Sequence, residues 1–460
     1  MKSAVGVSRA RKAKHFPLYR TLPKFVRDPL KEIQRISGAA GGDILRLDLG
    51  VARPLVVTHP DHVQHVLREN SENYVRDGVF WRPLHGLMGD SVLGEGDAWE
   101  LSRRVLQPVF TARNVDALTE RMAETINEAV DALDEPARSG RPVRVIEEMG
   151  HIVNKTVIRV FFGEKISADE AVHLAVAFEA VATSLAFRFL LPFVPKAIPL
   201  PGDRTFREAV QTIDETMFAL VRKYRENPGD GHDIFTALCR ARTAEGSELT
   251  DQWVRDNLVA MFATGTETTA VALSWLWPIL ATHPEVATRL GDEIDQVVGG
   301  DRVRQAHLEG LPYAKQVVQE LLRLYPVGWL FPRIALRPGT IDGVPIKAGQ
   351  TLMISPFLTH RLESVWERPL DFDPDRFAQD RTAQRHRYAY FPFGGGPHQC
   401  LGMHVFYAEA QLILASILSR FRPVLSTTEP FRPRIGPTLR PMHDDGGELE
   451  MILVPTRGSA

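Results

Sequence analysis

Hydrophobic and polar positions follow two periods along the chain. Residues 116–135 and 205–225 place apolar side chains three and four apart, which predicts amphipathic helices. Pro201-Gly202 and Pro228-Gly229 punctuate the flanks of the second. Leu311–Leu324 repeats the helical spacing and stops before Pro326, and residues 401–421 repeat it after Cys400. Strand signals are shorter. Residues 44–59 (ILRLDLGVARPLVVTH) predict two strands joined by a glycine-containing turn. Thr340–Ser355 predicts a hairpin around Asp342-Gly343 and then a strand, and 432–454 predicts a second hairpin around Asp444–Gly447. There is no internal repeat and no regular βαβ alternation. The expected fold is mainly α with a minor antiparallel β part, as a single large domain over 17–460 behind a basic tail at 1–16.

Leu258–Leu280 (LVAMFATGTETTAVALSWLWPIL) breaks the amphipathic pattern, because it is apolar all round apart from Glu267. Its length suits a bilayer span. Its centre, Thr264-Gly265-Thr266-Glu267-Thr268-Thr269, does not, since a carboxylate in lipid is costly. The segment therefore predicts a helix buried in the middle of a large water-soluble fold, with one polar notch as a candidate site.

Composition narrows the function classes. Lys and Arg (55) nearly balance Asp and Glu (57), so nothing marks a dedicated nucleic-acid binder. Lys2, Arg9, Arg11, Lys12 and Lys14 precede the first acid, Asp28, with no apolar run after them; a solvated tail and a cytoplasmic protein without an integral membrane segment are expected. The 2 cysteines, Cys239 and Cys400, exclude a disulfide scaffold and any four-cysteine metal site.

Cys400 lies in FPFGGGPHQCLG (391–402), at the entry to a predicted helix. Glycines permit sharp turns and close approach to a flat ligand, and a helix start favours a thiolate. Such a thiolate is a nucleophile, with His398 as its base, or a metal ligand; the bland alternative is an inert buried cysteine. Phe393, Gly396, His398, Cys400 and Gly402 match F-x-x-G-x-[RH]-x-C-x-G. This resembles the haem-binding loop of the cytochrome P-450 family, whose cysteine thiolate is the axial ligand of the haem iron. The resemblance spans about residues 17–454 and implies that family's fold, a single large domain with its central helix over the haem.

Further elements are similar to the family's in the order expected. Trp99 and Arg103 resemble the W-x-x-x-R helix that holds a haem propionate, and Arg333 and His398 match the other usual propionate partners. Glu320 and Arg323 look like the Glu-Arg pair that locks onto the meander arginine, here Arg376, as structural support. The notch resembles the oxygen-binding helix: Gly265 with a threonine hydroxyl opens the helix, Thr268 bonds oxygen, and Glu267 relays protons. The alternative is that these threonines simply bond back to helix carbonyls. Against it stands Glu267, since a buried, unpaired carboxylate is costly without a task.

The resemblance implies an O2-dependent monooxygenase carrying haem b. It would hydroxylate a C–H bond, or epoxidise, with two electrons from NAD(P)H through a separate ferredoxin and ferredoxin reductase. No G-x-G-x-x-G follows a strand, so no flavin domain is expected. Arg104, Arg113, Arg381, Arg385 and Arg387 are candidate docking cations or plain solvated charges. Phe80, Trp81, Leu87, Met88, Ala263, Thr264, Leu330 and Phe331 are expected at the substrate pocket, beneath a roof at Val181–Pro201; the Thr264 hydroxyl faces the substrate or bonds back to its helix. An apolar pocket suits a terpenoid of bacterial secondary metabolism, with a fatty acid or polyketide macrolide as the alternative. A monomer is expected. Peroxide-using or isomerising enzymes of the same fold would not need Glu267 and Thr268. A non-catalytic haem sensor or carrier would need a signalling segment, which is not evident.

Overall fold

A computed structural model of the chain describes residues 12–48, 53–78, 80–184, 194, 197–229, 233–243, 245–436, 438–443 and 446–456. The chain divides into two units, residues 1–78 with 322–400 and residues 79–321 with 401–460.

The first unit is built on a six-stranded sheet. Its order is Lys14–Phe16, Leu45–Leu47, Leu55–Val57, Thr351–Ile354, Phe331–Ala335, Tyr74–Val75. Lys14–Phe16, expected in the tail, pairs parallel with Leu45–Leu47. Leu55–Val57 pairs parallel with Thr351–Ile354, so this sheet is mixed rather than purely antiparallel. That parallel pair joins segments almost 300 residues apart, which local patterning cannot show. Alternate residues of Thr351–Ile354 are buried, and Leu352 and Ile354 join Leu55, Val57, Val66, Leu67, Tyr388 and Phe391 in one core. Gly339–Ile341 and Val344–Ile346 form the hairpin expected around Asp342-Gly343, with both residues at positive φ.

The second unit is mostly helical. Its centre is the helix Asp251–Ser274, capped by the Thr250 hydroxyl, which accepts from the Trp253 amide at 3.1 Å. It starts seven residues earlier than the apolar pattern suggests, because Arg255, Asp256 and Asn257 are also buried. It ends at Ser274 rather than running to 280. Pro278 has no amide to bond the Ser274 carbonyl, and Leu276–Thr282 forms a separate helix. Around it pack Val145–Phe162, Asp203–Glu226 and the helix after the cysteine, Met403–Leu418. Phe178 and Phe161 close on Phe262, with ring centroids at 4.5 and 6.4 Å.

The C-terminal strands pair differently from the sequence expectation. Phe431–Ile435 and Leu439–His443 form the hairpin, while Glu450–Pro455 pairs with Phe421–Leu425. Asp444-Asp445 of the expected turn lie outside the described residues. Prolines at 433 and 441 obscure the strand pattern, yet they sit opposite each other in the two-stranded ladder, where no third strand needs their amides.

Candidate active site

In the first unit the loop before Cys400 is shaped by contacts that only glycine allows. Gly394 and Gly396 have φ of 69° and 67°. A Cβ on Gly396 would lie 1.8 Å from the Leu67 carbonyl oxygen, and one on Gly395 would lie 2.4 Å from the Tyr388 ring. The loop is thus pressed against the helical turn His65–Glu69 and against Tyr388. A single 3-10 turn, Gly396–His398, leads to the cysteine, whose amide donates to the Phe393 carbonyl at 2.9 Å. The Cys400 residue is exposed, and the helix after it begins three residues later at Met403. Cys239 is the opposite case: buried, with its thiol pushed up to about 12 by desolvation. Arg333 is buried on its strand, while its guanidinium donates to the Pro332 carbonyl at 2.9 Å; His398 is half-buried.

The same unit carries the supporting arginines. Arg323 donates to the carbonyls of His360, Pro369 and Asp371 at 2.7–2.9 Å, and Arg376 donates to those of Glu367 and Arg368 at 2.6 and 2.9 Å. Two guanidiniums therefore tie down one stretch of backbone, 367–371. Glu320, one turn before Arg323, is wholly buried. His360 is wholly buried beside Arg323, and desolvation drives its imidazole well below its ordinary range. Arg385, a candidate docking cation, stacks over Trp366 and Phe377 at 4.4 and 4.9 Å.

In the second unit the notch lies on Asp251–Ser274. The Thr264 hydroxyl donates back to the Ala260 carbonyl at 2.7 Å, Thr266 to Phe262 at 3.0 Å, and Thr268 to the Thr264 carbonyl. The bland alternative for these hydroxyls is what the structure shows, the bond back to a carbonyl one turn earlier that threonines make within helices. Gly265 stays within the unbroken helix, and a Cβ there would only touch Phe161 at 4.0 Å. The argument from an unpaired acid is corrected too. Glu267 is about one-third exposed and accepts from Arg440 at 2.7 Å and from the Thr438 hydroxyl at 2.9 Å. Its partners lie 173 and 171 residues away, so sequence inspection missed them.

Trp99 and Arg103 share the helix Gly96–Leu106, both half-buried, with Arg103 donating to Gln107 at 3.2 Å. Phe80 and Trp81 meet edge to face at 5.3 Å, and Leu87 and Met88 are buried on Arg82–Met88. Ala263 and Leu330 are half-buried, and Phe331 packs against Phe391 at 6.4 Å in the first unit. Most of the expected roof at 181–201 and the Arg113 side chain lie outside the described residues.

A model of the family described as "Cytochrome P450" matches residues 12–444. The chain belongs to the cytochrome P450 family. It is 28% identical over 411 residues to "Pentalenene oxygenase" of Streptomyces avermitilis, covering 89% of this chain and 90% of that protein. It is 31% identical over 397 residues to "Cyclooctat-9-en-7-ol 5-monooxygenase" of Streptomyces melanosporofaciens, covering 85% and 84%. The fold matches the crystal structure of the P450DA heme domain with a TM-score of 0.86 at 21% identity over 98% of each chain. The chain is thus a cytochrome P450 monooxygenase, and membership implies haem. Among the described residues no helix is long and apolar enough to cross a membrane.

The residues fit that group. The glycines at 395 and 396 seat the loop against Tyr388 and the Leu67 carbonyl, which fixes the stretch that presents Cys400. The iron needs an accessible thiol, and of the 2 cysteines Cys400 is the exposed one. Propionates need cations, and a buried guanidinium at Arg333 is of the right kind. One charged residue went unremarked in the sequence although its signal was there. Glu409 is the sole charge in the helix Met403–Leu418; it is 2% exposed and hydrogen-bonded to Thr269, and burial raises its carboxyl to about 8. It is the same lone acid in an apolar run that singled out Glu267.

Proposed function

We propose that this P450 hydroxylates or epoxidises an apolar terpenoid-like compound, and that the Cys400 thiolate would hold its haem iron. The observation that carries the ligand assignment is the contrast between the two cysteines: Cys400 is exposed on a glycine-shaped loop, and Cys239 is buried with a thiol raised to about 12. Support for the substrate class comes from the relatives named for oxidation of pentalenene and of cyclooctat-9-en-7-ol.

Trp99, Arg103, Arg333 and His398 would hold the propionates. Bound haem supplies the activation of dioxygen, using two electrons from a ferredoxin and its reductase. The protein's own part is to orient substrate, admit protons and exclude bulk water. The Glu267 carboxylate, about one-third exposed, can exchange protons with solvent and is held in place by Arg440 and Thr438. The Thr268 hydroxyl would pass the proton onward into the site; releasing it from the Thr264 carbonyl costs one intrahelical hydrogen bond, roughly 1 kcal/mol. Leu87, Met88 and the Phe80–Trp81 pair would shape the apolar side of the substrate site.

The test pairs two variants with a ligand panel. Cys400→Ala should lose the carbon monoxide band of thiolate-ligated haem, and Cys239→Ala should keep it. The reverse pattern would overturn the assignment. Titration with terpenes, fatty acids and macrolides, read by the haem absorbance band, should shift most with terpenes. A shift confined to fatty acids or macrolides would replace the substrate class.

A further inference from the structure

Three consecutive polar residues of Asp251–Ser274 are buried where the sequence gives no reason for them, and each reaches the same short stretch of backbone. Arg255 Nη1 donates to the Leu87 carbonyl at 2.6 Å. The Asp90 amide donates to Asp256 Oδ2, and the Val92 amide donates to Asn257 Oδ1, both at 3.1 Å. Arg255, Asp256 and Asn257 are each at most 4% exposed. Arg255 also donates to Asp214 on Asp203–Glu226 at 2.6 Å and to Asp256 at 2.9 Å, and Gln252 donates to Asp256 at 2.7 Å. Gly89 fits this arrangement closely. It has φ of 51°, and a Cβ there would lie 2.1 Å from Asp256 Oδ2.

We propose that Arg255, Asp256 and Asn257 form a clamp that fixes the backbone of 87–92 to the central helix, and that they are positioning residues for substrate selection. The selection part rests on the reading of Leu87 and Met88 as substrate-facing. Burying two charges and an amide is costly unless each is satisfied, and here each finds partners among the main chain of 87–92, Asp214 and Gln252. Apolar packing of Leu87 and Met88 alone would tolerate small slides along the helix. Directional bonds at 87, 90 and 92 do not, so they fix the register of this wall against the helix that bears Thr268. That threonine lies 11 residues beyond Asn257, about 16 Å along the axis. The clamp therefore holds the distance between the wall and the oxygen-handling residues, which decides which ligands fit.

Removing either buried charge would strand the other, so the test uses Asn257→Ala and Gly89→Ala. In hydrogen exchange followed by mass spectrometry, peptides covering 87–92 should exchange about five- to tenfold faster in both variants. Peptides elsewhere should stay within about twofold, and the thiolate spectrum should be kept. Ligand titration and turnover should then show KM for the best terpene rising severalfold, kcat changing less, and bulkier terpenes gaining relative to it. Unchanged exchange at 87–92, or an equal rise everywhere, would overturn the clamp. Faster exchange with an unaltered ligand order would overturn its role in selection. Exchange does not depend on the substrate reading. A wild-type protein that shifts with no terpene would therefore overturn that reading, while the exchange result still decides the clamp.

Discussion

Glu409 has a consequence that can be read from pH alone. Its carboxyl is raised from 4.5 to about 8 chiefly by burial, so the folded state holds a proton that the unfolded chain releases. For an acid raised in this way, the stabilising effect is full below the unfolded value and is lost as pH climbs from about 4.5 toward 8. Glu409→Gln keeps the shape and removes the titration. Relative to the variant, the wild type should lose on the order of 3–5 kcal/mol of unfolding free energy across that window, measured by denaturant melts at stepped pH. Comparing the two proteins isolates this effect from His360, whose lowered imidazole contributes in the opposite direction. A difference that stays flat with pH would show that Glu409 is charged in the fold. At the same scale, Cys239 and Cys400 show why residue type alone decides little: one is buried with its thiol raised by desolvation, and the other is exposed at the end of its loop.

Among elements, the hairpin Phe431–His443 supports the central helix. It is pinned by the Trp275 indole, which donates to the Leu439 carbonyl at 2.8 Å, and by Arg440 and Thr438 on Glu267. Arg440→Met should leave the fold intact, because the guanidinium is partly exposed, but should free the Glu267 carboxylate to swing. The expected result is a severalfold rise in reducing equivalents lost to hydrogen peroxide, with ligand affinity changed less than twofold. Arg440→Lys should recover part of the coupling, since the charge survives and the planar fork does not. Coupling that is identical in all three proteins would remove Arg440 from proton delivery.

The whole chain passes between its two units at 78/79, 321/322 and 400/401, so each unit is assembled from separate stretches. The helix Met403–Leu418 is buried along most of its length, and it packs on Ala112–Asp131. A fragment spanning 79–321 would expose that surface to water. At roughly 25 cal/mol per Å² of apolar surface, the lost burial works against a net stability of only about 5–15 kcal/mol for an ordinary domain. The fragment should keep helical circular dichroism but bind hydrophobic dyes and melt without a cooperative transition. A sharp, dye-free melt would show that it folds alone.

The sequence by itself determined the parts whose physics is local. Helical periodicity, the glycine–cysteine loop, the Asp342-Gly343 hairpin and the lone acid at 267 each lie within a few residues of chain, where spacing and backbone preference act directly. That was enough for the mainly α fold and for singling out Cys400 as the proposed ligand. Tertiary structure decided what depends on distant partners. Arg440 meets Glu267, Asp256 takes the Asp90 amide, and Leu55–Val57 lies beside Thr351–Ile354, each across more than 150 residues. The argument that Glu267 must be unpaired failed for that reason, and the helix start at 251 was hidden because Arg255, Asp256 and Asn257 look solvent-facing until their partners are placed. A polar side chain tells only that it needs a partner; which partner it finds is settled when remote segments pack and water is excluded between them.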